Sequence, residues 1–124
     1  MEPKLSYLAC PYMHENETVI EERFQLITKI AAHLITKGIL VISPITHNHP
    51  INKSGLIERC WETWKEFDTE LIKRCDQMIV IKINGWKEST GVQAEIKIAE
   101  KLGKPIKYME NAWIPKNWKK LEIN

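Results

Sequence analysis

Met78-Ile79-Val80-Ile81-Lys82-Ile83 is followed by Asn84-Gly85-Trp86-Lys87-Glu88, and then by Ser89-Thr90-Gly91-Val92-Gln93-Ala94-Glu95 running into Ile96-Lys97-Ile98-Ala99-Glu100. A β-branched run, a Gly-containing turn and then helical spacing is the order of a strand, a loop and a helix start. Val92, Ile96, Ala99 and Leu102 recur at helical intervals and define the face turned to a sheet, while Lys97, Glu100 and Lys101 point outward. Glu95 stands inside that apolar stripe. It is either a held, reactive carboxylate near a helix N-terminus, where free N–H groups and the dipole favour negative charge, or an ordinary Glu satisfying its own helix. Gly91, with no side chain, lets a ligand approach the backbone closely.

Working outward, 124 residues make one domain, long enough for a sheet covered on both faces and too short for two cores. A hydrophobic content of 44% and a charged content of 27% are those of an ordinary globular protein, so disorder is not the default. The net charge of +2 with scattered lysines argues against dedicated nucleic-acid binding. No apolar run is long enough to span a bilayer, and Met1-Glu2-Pro3-Lys4 opens no signal-peptide h-region. Three cysteines, Cys10, Cys60 and Cys75, lack metal-type spacing and suit a reducing compartment. The expected location is cytoplasmic.

Upstream, Lys4 to Ala9 reads as a first strand stopped by Pro11. Tyr7 then lies near its carboxyl end, the edge where open parallel sheets bind ligands, or is simply a half-buried strand aromatic. Thr18 and Glu21 suggest a capping box, and Ile20, Phe24, Ile27, Ala31, Leu34 and Ile35 make the stripe of a long helix closed by Gly38. Ile39 to Ile42 is a second buried strand ending at Ser43-Pro44. Ile45-Thr46-His47-Asn48-His49-Pro50 is expected to continue as a loop at the same sheet edge. Ser54 is the expected cap of a helix through Leu56, Trp61, Trp64, Asp68, Leu71 and Ile72 to Cys75. Ile106 to Met109 is a short fourth strand. Alternating strands and helices give a parallel α/β fold, flavodoxin-like or Rossmann-like, with four or five strands in the order 2-1-3-4(-5) and helices on both faces.

Asp68 is a second carboxylate where an apolar residue is expected, because Trp61, Trp64, Leu71 or Ile72 and Cys75 share its stripe. A buried unpaired carboxylate is costly, so either a donor satisfies it structurally or it is kept for function. Two such groups, on the helices before and after one strand, can flank a single sheet edge. His47 and His49 do not make a metal site: His14 and His33 are far off and no carboxylate spacing completes a ligand set. No metal or cofactor is expected, and the histidines either shape a pocket wall or sit in solvent.

With these residues in place, the chain resembles the nucleoside 2-deoxyribosyltransferase superfamily, and within it a small branch related to the 2'-deoxynucleoside 5'-monophosphate N-hydrolases. The resemblance runs from Tyr7 to about Met109. It rests on Tyr7-Leu8-Ala9-Cys10-Pro11-Tyr12, on Ser43-Pro44-Ile45, on Trp64 and Asp68, and on Gly85-Trp86 with Ser89, Gly91 and Glu95. Each motif is short, and their order and spacing together carry the specificity. The resemblance implies that Glu95 attacks the anomeric carbon of a deoxyribosyl group and expels the base. It implies that Asp68 contacts the sugar or assists base departure, that Tyr7 hydrogen-bonds the nucleophile, and that Ser89 and Gly91 form a phosphate-binding turn. The monophosphate hydrolases carry a Gly-Ser-Ile-Arg-Gly type loop after the first strand. Here Cys10 to His14 contains no arginine and is closer to the transferases' Gly-Pro-aromatic turn.

Those roles suit the residue types. An ionised carboxylate is a competent nucleophile toward an oxocarbenium-like centre, and a second carboxyl with a raised pKa can protonate the leaving base. The expected catalytic residues are Glu95, Asp68 and Tyr7. The expected substrate contacts are Cys10, Pro11, Tyr12, Pro44, His47, Trp64, Trp86, Ser89 and Gly91, with Tyr12 and Trp86 either stacking on a base or lining the pocket. The expected partner is a small-molecule nucleoside or nucleotide, not a nucleic acid polymer or a membrane. A homodimer or higher homo-oligomer is expected, with the Trp-bearing segment 110–124 of this single domain at the interface. The competing reading is a non-catalytic nucleotide-binding or sensing module on the same fold.

Overall fold

The computed structural model describes residues 4–110. The first strand, β1 (Leu5–Ala9), leads through a short turn to α1 (Glu17–Thr36), β2 (Leu40–Ile42) and α2 (Pro44–Asn52). Then follow α3 (Trp61–Arg74), β3 (Gln77–Lys82), α4 (Thr90–Lys101) and β4 (Ile106–Glu110). The four strands are parallel in the order β2-β1-β3-β4, as the alternation predicts. Tyr7 is paired with Ile42 on one side and Met78 on the other, so β1 is central and Tyr7 sits in the middle of the sheet. The fifth strand and the 110–124 interface segment fall, but for residue 110, outside the described residues.

Because side chains alternate along a strand, the sheet has two unlike faces. Leu8, Ile79 and Ile81 turn to the side covered by α1, where Ile27, Ile30 and Leu34 close a hydrocarbon core. Tyr7, Ala9, Met78 and Val80 turn to the other, covered by Ile72 of α3 and by Val92, Ile96 and Ala99 of α4.

Three local expectations are corrected. Asn16, not a Thr18 capping box, caps α1: its Oδ1 accepts from the Thr18 N–H at 2.8 Å. Residues 44–52 are a helix rather than a loop. Ser43 Oγ accepts from the Thr46 N–H at 3.1 Å, Pro44 occupies the first turn where its missing N–H costs nothing, and Pro50 comes late enough to be tolerated. The third helix begins at Trp61 and not near Ser54, because Gly55 (φ +81°) adopts a left-handed conformation that a right-handed helix cannot include.

Candidate active site

The carboxyl edge of the sheet opens into a cavity of about 310 Å3, within the range of small-molecule sites. Its walls come from the β1–α1 turn (Tyr12, Met13), from α2 (Pro44, Ile45, Asn48, Asn52), and from Arg59, Cys60, Trp61 and Trp64 around the start of α3. Asp68 of α3, Glu88, Ser89, Thr90 and Gly91 at the start of α4, and Glu95 complete it. Both carboxylates singled out from the sequence therefore face one space.

Glu95 and Asp68 are 7% and 6% exposed, and Tyr7, behind Glu95, is wholly buried. The Tyr7 hydroxyl donates to Glu95 Oε2. Glu95 is the sixth residue of α4, beyond the first turn, so its anion draws on this phenol more than on the helix terminus. Burial pushes the Glu95 carboxyl up to about 8; the Tyr7 bond opposes that rise and the nearby Asp68 charge adds to it. Asp68 is pushed up to about 6 by burial, against the Asn48 amide and the charge of His47. The Tyr7 phenol itself lies well above its usual range, first through burial and then through the charge of Glu95.

Asn48 Nδ2 donates to Asp68 Oδ1 at 3.2 Å, which leaves Asn48 Oδ1 to accept from His47 Nδ1 at 2.7 Å. The amide thus fixes the orientation of the acid. A second chain joins the same two helices one turn away and runs on to α1. Trp64 Nε1 donates to Asn52 Oδ1 (2.8 Å), Asn52 Nδ2 donates to Tyr12 Oη (3.2 Å), and Tyr12 Oη meets His49 Nδ1 (2.6 Å). His49 Nε2 meets Glu21 Oε1 at 2.9 Å. Arg23 holds the turn that carries Tyr12, its guanidinium donating to the Met13 carbonyl at 2.9 Å.

Of the residues singled out from the sequence, Glu95, Asp68, Tyr12, Pro44, Trp64, Ser89 and Gly91 meet at this cavity, with Tyr7 bonded to Glu95 from below. Ser89 caps α4, accepting from the Val92 N–H at 3.1 Å. Four others do not line it. Cys10 belongs to the core under α1, and the neighbouring Pro11 is buried. His47 is exposed and stacks on Phe67 (4.9 Å, 9°), while Trp86 packs on Tyr108 at 5.7 Å. Asn48, Asn52 and Arg59 are cavity residues that the sequence reading passed over. Once 44–52 is read as a helix, Asn48 and Asn52 are four apart and share a face, which was the available signal.

A family profile described as Domain of unknown function (DUF1937) matches residues 4–111. The chain belongs to the DUF1937 family. No curated protein matches this DUF1937 domain in sequence. Among solved structures it is similar to the CMP N-glycosidase BcmB of Clostridium botulinum at 20% identity and TM-score 0.55, over 94% of this chain and 82% of that one. It is also similar to a 2-deoxyribosyltransferase of Bacillus psychrosaccharolyticus at 24% identity and TM-score 0.59, over 97% and 91%. At these identities the likeness is one of fold, and the fold is the one the sequence motifs implied.

Proposed function

We propose that this protein is an enzyme that cleaves or transfers the N-glycosidic bond of a (deoxy)nucleoside or nucleoside 5'-monophosphate through a covalent glycosyl-enzyme on Glu95. The observation that carries the reading is the phenol-bonded Glu95 sharing one cavity with a second buried carboxyl, Asp68. A domain held together only by packing has no use for two buried carboxyl groups facing one cavity. The fold shared with an N-glycosidase and a deoxyribosyltransferase supports the same reading.

In the proposed reaction, Glu95 attacks the anomeric carbon as the bond to the base breaks, and Asp68 delivers a proton to the departing nitrogen. The Tyr7 hydroxyl stabilises the anionic form of Glu95 and aims it. With Asp68 near 6 and Glu95 near 8, the pair holds a single proton between those values. The productive arrangement has that proton on Asp68. Moving it there from Glu95 is uphill, which positive charge developing on the sugar offsets where Glu95 faces it.

Tyr12, Trp64 and Pro44 supply flat apolar surface suited to a nucleobase. A 5'-phosphate, if the substrate carries one, would find Arg59 at the cavity and the N–H groups at the start of α4 beside Ser89 and Gly91. The proposal keeps a single catalytic domain, an assembly of two or more copies and a cytoplasmic location. Among the described residues no helix is long and apolar enough to cross a membrane.

The test is to incubate the protein with a panel of nucleosides, deoxynucleosides and their 5'-monophosphates, with and without an acceptor base, and to follow free base by chromatography. The proposal expects release from at least one donor, abolished in Glu95→Ala while binding persists. Tight binding with no release from any donor would replace the enzyme by a nucleotide-sensing module.

A further inference from the structure

The chain of hydrogen bonds across the cavity wall has a direction fixed by its two ends. Trp64 Nε1 can only donate, so Asn52 must present its oxygen to the indole and its NH2 to Tyr12. At the other end Glu21 is half-exposed and held below the usual carboxylate range, by a bond from Gln25 first and by His49 next. It can only accept, so His49 carries a proton on Nε2. In the tautomer with no proton on Nδ1, Tyr12 donates its hydroxyl proton there. The Tyr12 oxygen thus has one donor on it, from Asn52, a second lone pair left for a water in the cavity, and an imidazole backed by a carboxylate to take its proton. The Arg59 guanidinium, paired with Glu17, lines the same cavity as Tyr12.

We infer that Tyr12, His49 and Glu21 form a proton relay in which Tyr12 is the general base for the second half of the reaction, activating the water or acceptor that resolves the glycosyl ester on Glu95. The inference rests on the function proposed above. The water oxygen bonds to the anomeric carbon as the bond from that carbon to the Glu95 oxygen breaks, its electron pair returning to the Glu95 carboxylate. One proton of the water passes to Tyr12 Oη while the hydroxyl's own proton passes to His49 Nδ1. The imidazolium so formed is held by Glu21, which reaches solvent and lets the proton leave. Asn52 stabilises negative charge on the phenol oxygen during the transfer, and the Arg59 charge lines the same cavity. Lys53, 3.7 Å from Glu21, is the other charged group at the outer end. The division of labour is then complete: Asp68 serves departure of the base, and the relay serves arrival of the nucleophile.

The experiment is rapid-quench kinetics on wild type, Tyr12→Phe and Glu21→Gln with the donor that the wild type turns over best. For Tyr12→Phe the expected result is a burst of base close to one per active site, followed by turnover slowed roughly 10²- to 10⁴-fold, with a pentosyl adduct on the Glu95 peptide by mass spectrometry. Glu21→Gln, which alters only a half-exposed side chain, should retain the burst and slow turnover by a smaller factor. Steady-state rates equal to wild type in both variants would overturn the relay. So would an equal slowing of burst and turnover in folded Tyr12→Phe, which would assign Tyr12 to base departure instead. If Tyr12→Phe does not fold, Glu21→Gln alone decides, since an unchanged turnover there leaves the relay without its outer member. Absence of base release by wild type from every donor is a different outcome and strikes the proposed function itself.

Discussion

The two faces of one sheet differ in what they spend burial on. Under α1, Leu8, Ile79 and Ile81 meet Ile27, Ile30 and Leu34 in an apolar cluster, and the buried polar pair beside it, Gln77 and Ser6, is uncharged. Under α3 and α4, the neighbouring positions of the same strands carry Tyr7, and against it lie Glu95 and Asp68, both acids held away from water. Since adjacent residues on β1 serve opposite faces, the contrast cannot come from strand quality or position in the chain. One face maximises stability, and the other gives some up to hold two carboxyl groups away from their ordinary pKa values.

Glu95→Gln should separate the faces most strongly. Activity is expected to fall by at least about 10⁴-fold in the base-release assay, because the nucleophile is gone. Stability should move the other way. Glu95 is raised from 4.5 to about 8, so the folded protein holds this proton more tightly than the unfolded chain does. The group therefore costs nothing below about pH 4.5, costs more as pH rises toward 8, and levels off above. Glu95→Gln should match the parent in denaturant melts at pH 4 and exceed it at pH 9 by up to about 5 kcal/mol, at 1.36 kcal/mol per unit. A variant less stable than the parent at pH 9 would remove the strain from this face.

Asp68→Asn is expected to slow base release by about 10²- to 10⁴-fold, most for bases that leave poorly. Its pH profile should change shape. In the parent, kcat/KM should be bell-shaped with limbs near 6 and 8, the pair being active with one proton. Without Asp68, the like charge that raises Glu95 is gone, so the remaining activity should rise through a single pKa below 8 and then hold steady. Persistence of the alkaline fall in that variant would take Asp68 out of the proton inventory.

Tyr7→Phe comes next, at about 10- to 100-fold, the scale of one hydrogen bond to a charged group. The phenol is the interaction that lowers the Glu95 pKa, so its loss should move the alkaline limb upward. On the hydrocarbon face, Ile79→Ala is expected to cost about 2–5 kcal/mol in a denaturant melt and to leave both limbs of the pH profile where they were. A shifted limb in Ile79→Ala would mean that the faces are coupled.

The sheet was legible from sequence because β-branched runs and helical stripes alternate without ambiguity at Ile79–Ile81 and at Ile20–Leu34. Glu95 and Asp68 were legible as charges interrupting apolar stripes, and the strand order follows from size and alternation. What escaped was local or tertiary. Ser43-Pro44 starts a helix, but the nearby His, Asn and Pro50 read as loop, and with that helix misread Asn48 and Asn52 could not be aligned on one face. Tyr12 was visible only as a ring for stacking. The partners of its hydroxyl come from α2 and are backed by Glu21 of α1, and no spacing along the chain brings Tyr12, His49 and Glu21 together. Cys10 and Trp86 were attractive by position after a strand, yet packing turned one into the core and the other onto Tyr108.

The central claim is that Glu95 bonds covalently to the sugar. It is tested most directly by letting the wild-type enzyme transfer a donor's pentosyl group to methanol and reading the anomeric configuration of the methyl glycoside by proton NMR. Two successive displacements on Glu95 predict the configuration of the starting nucleoside, retained. A product of inverted configuration would mean a single displacement by solvent and would contradict the account.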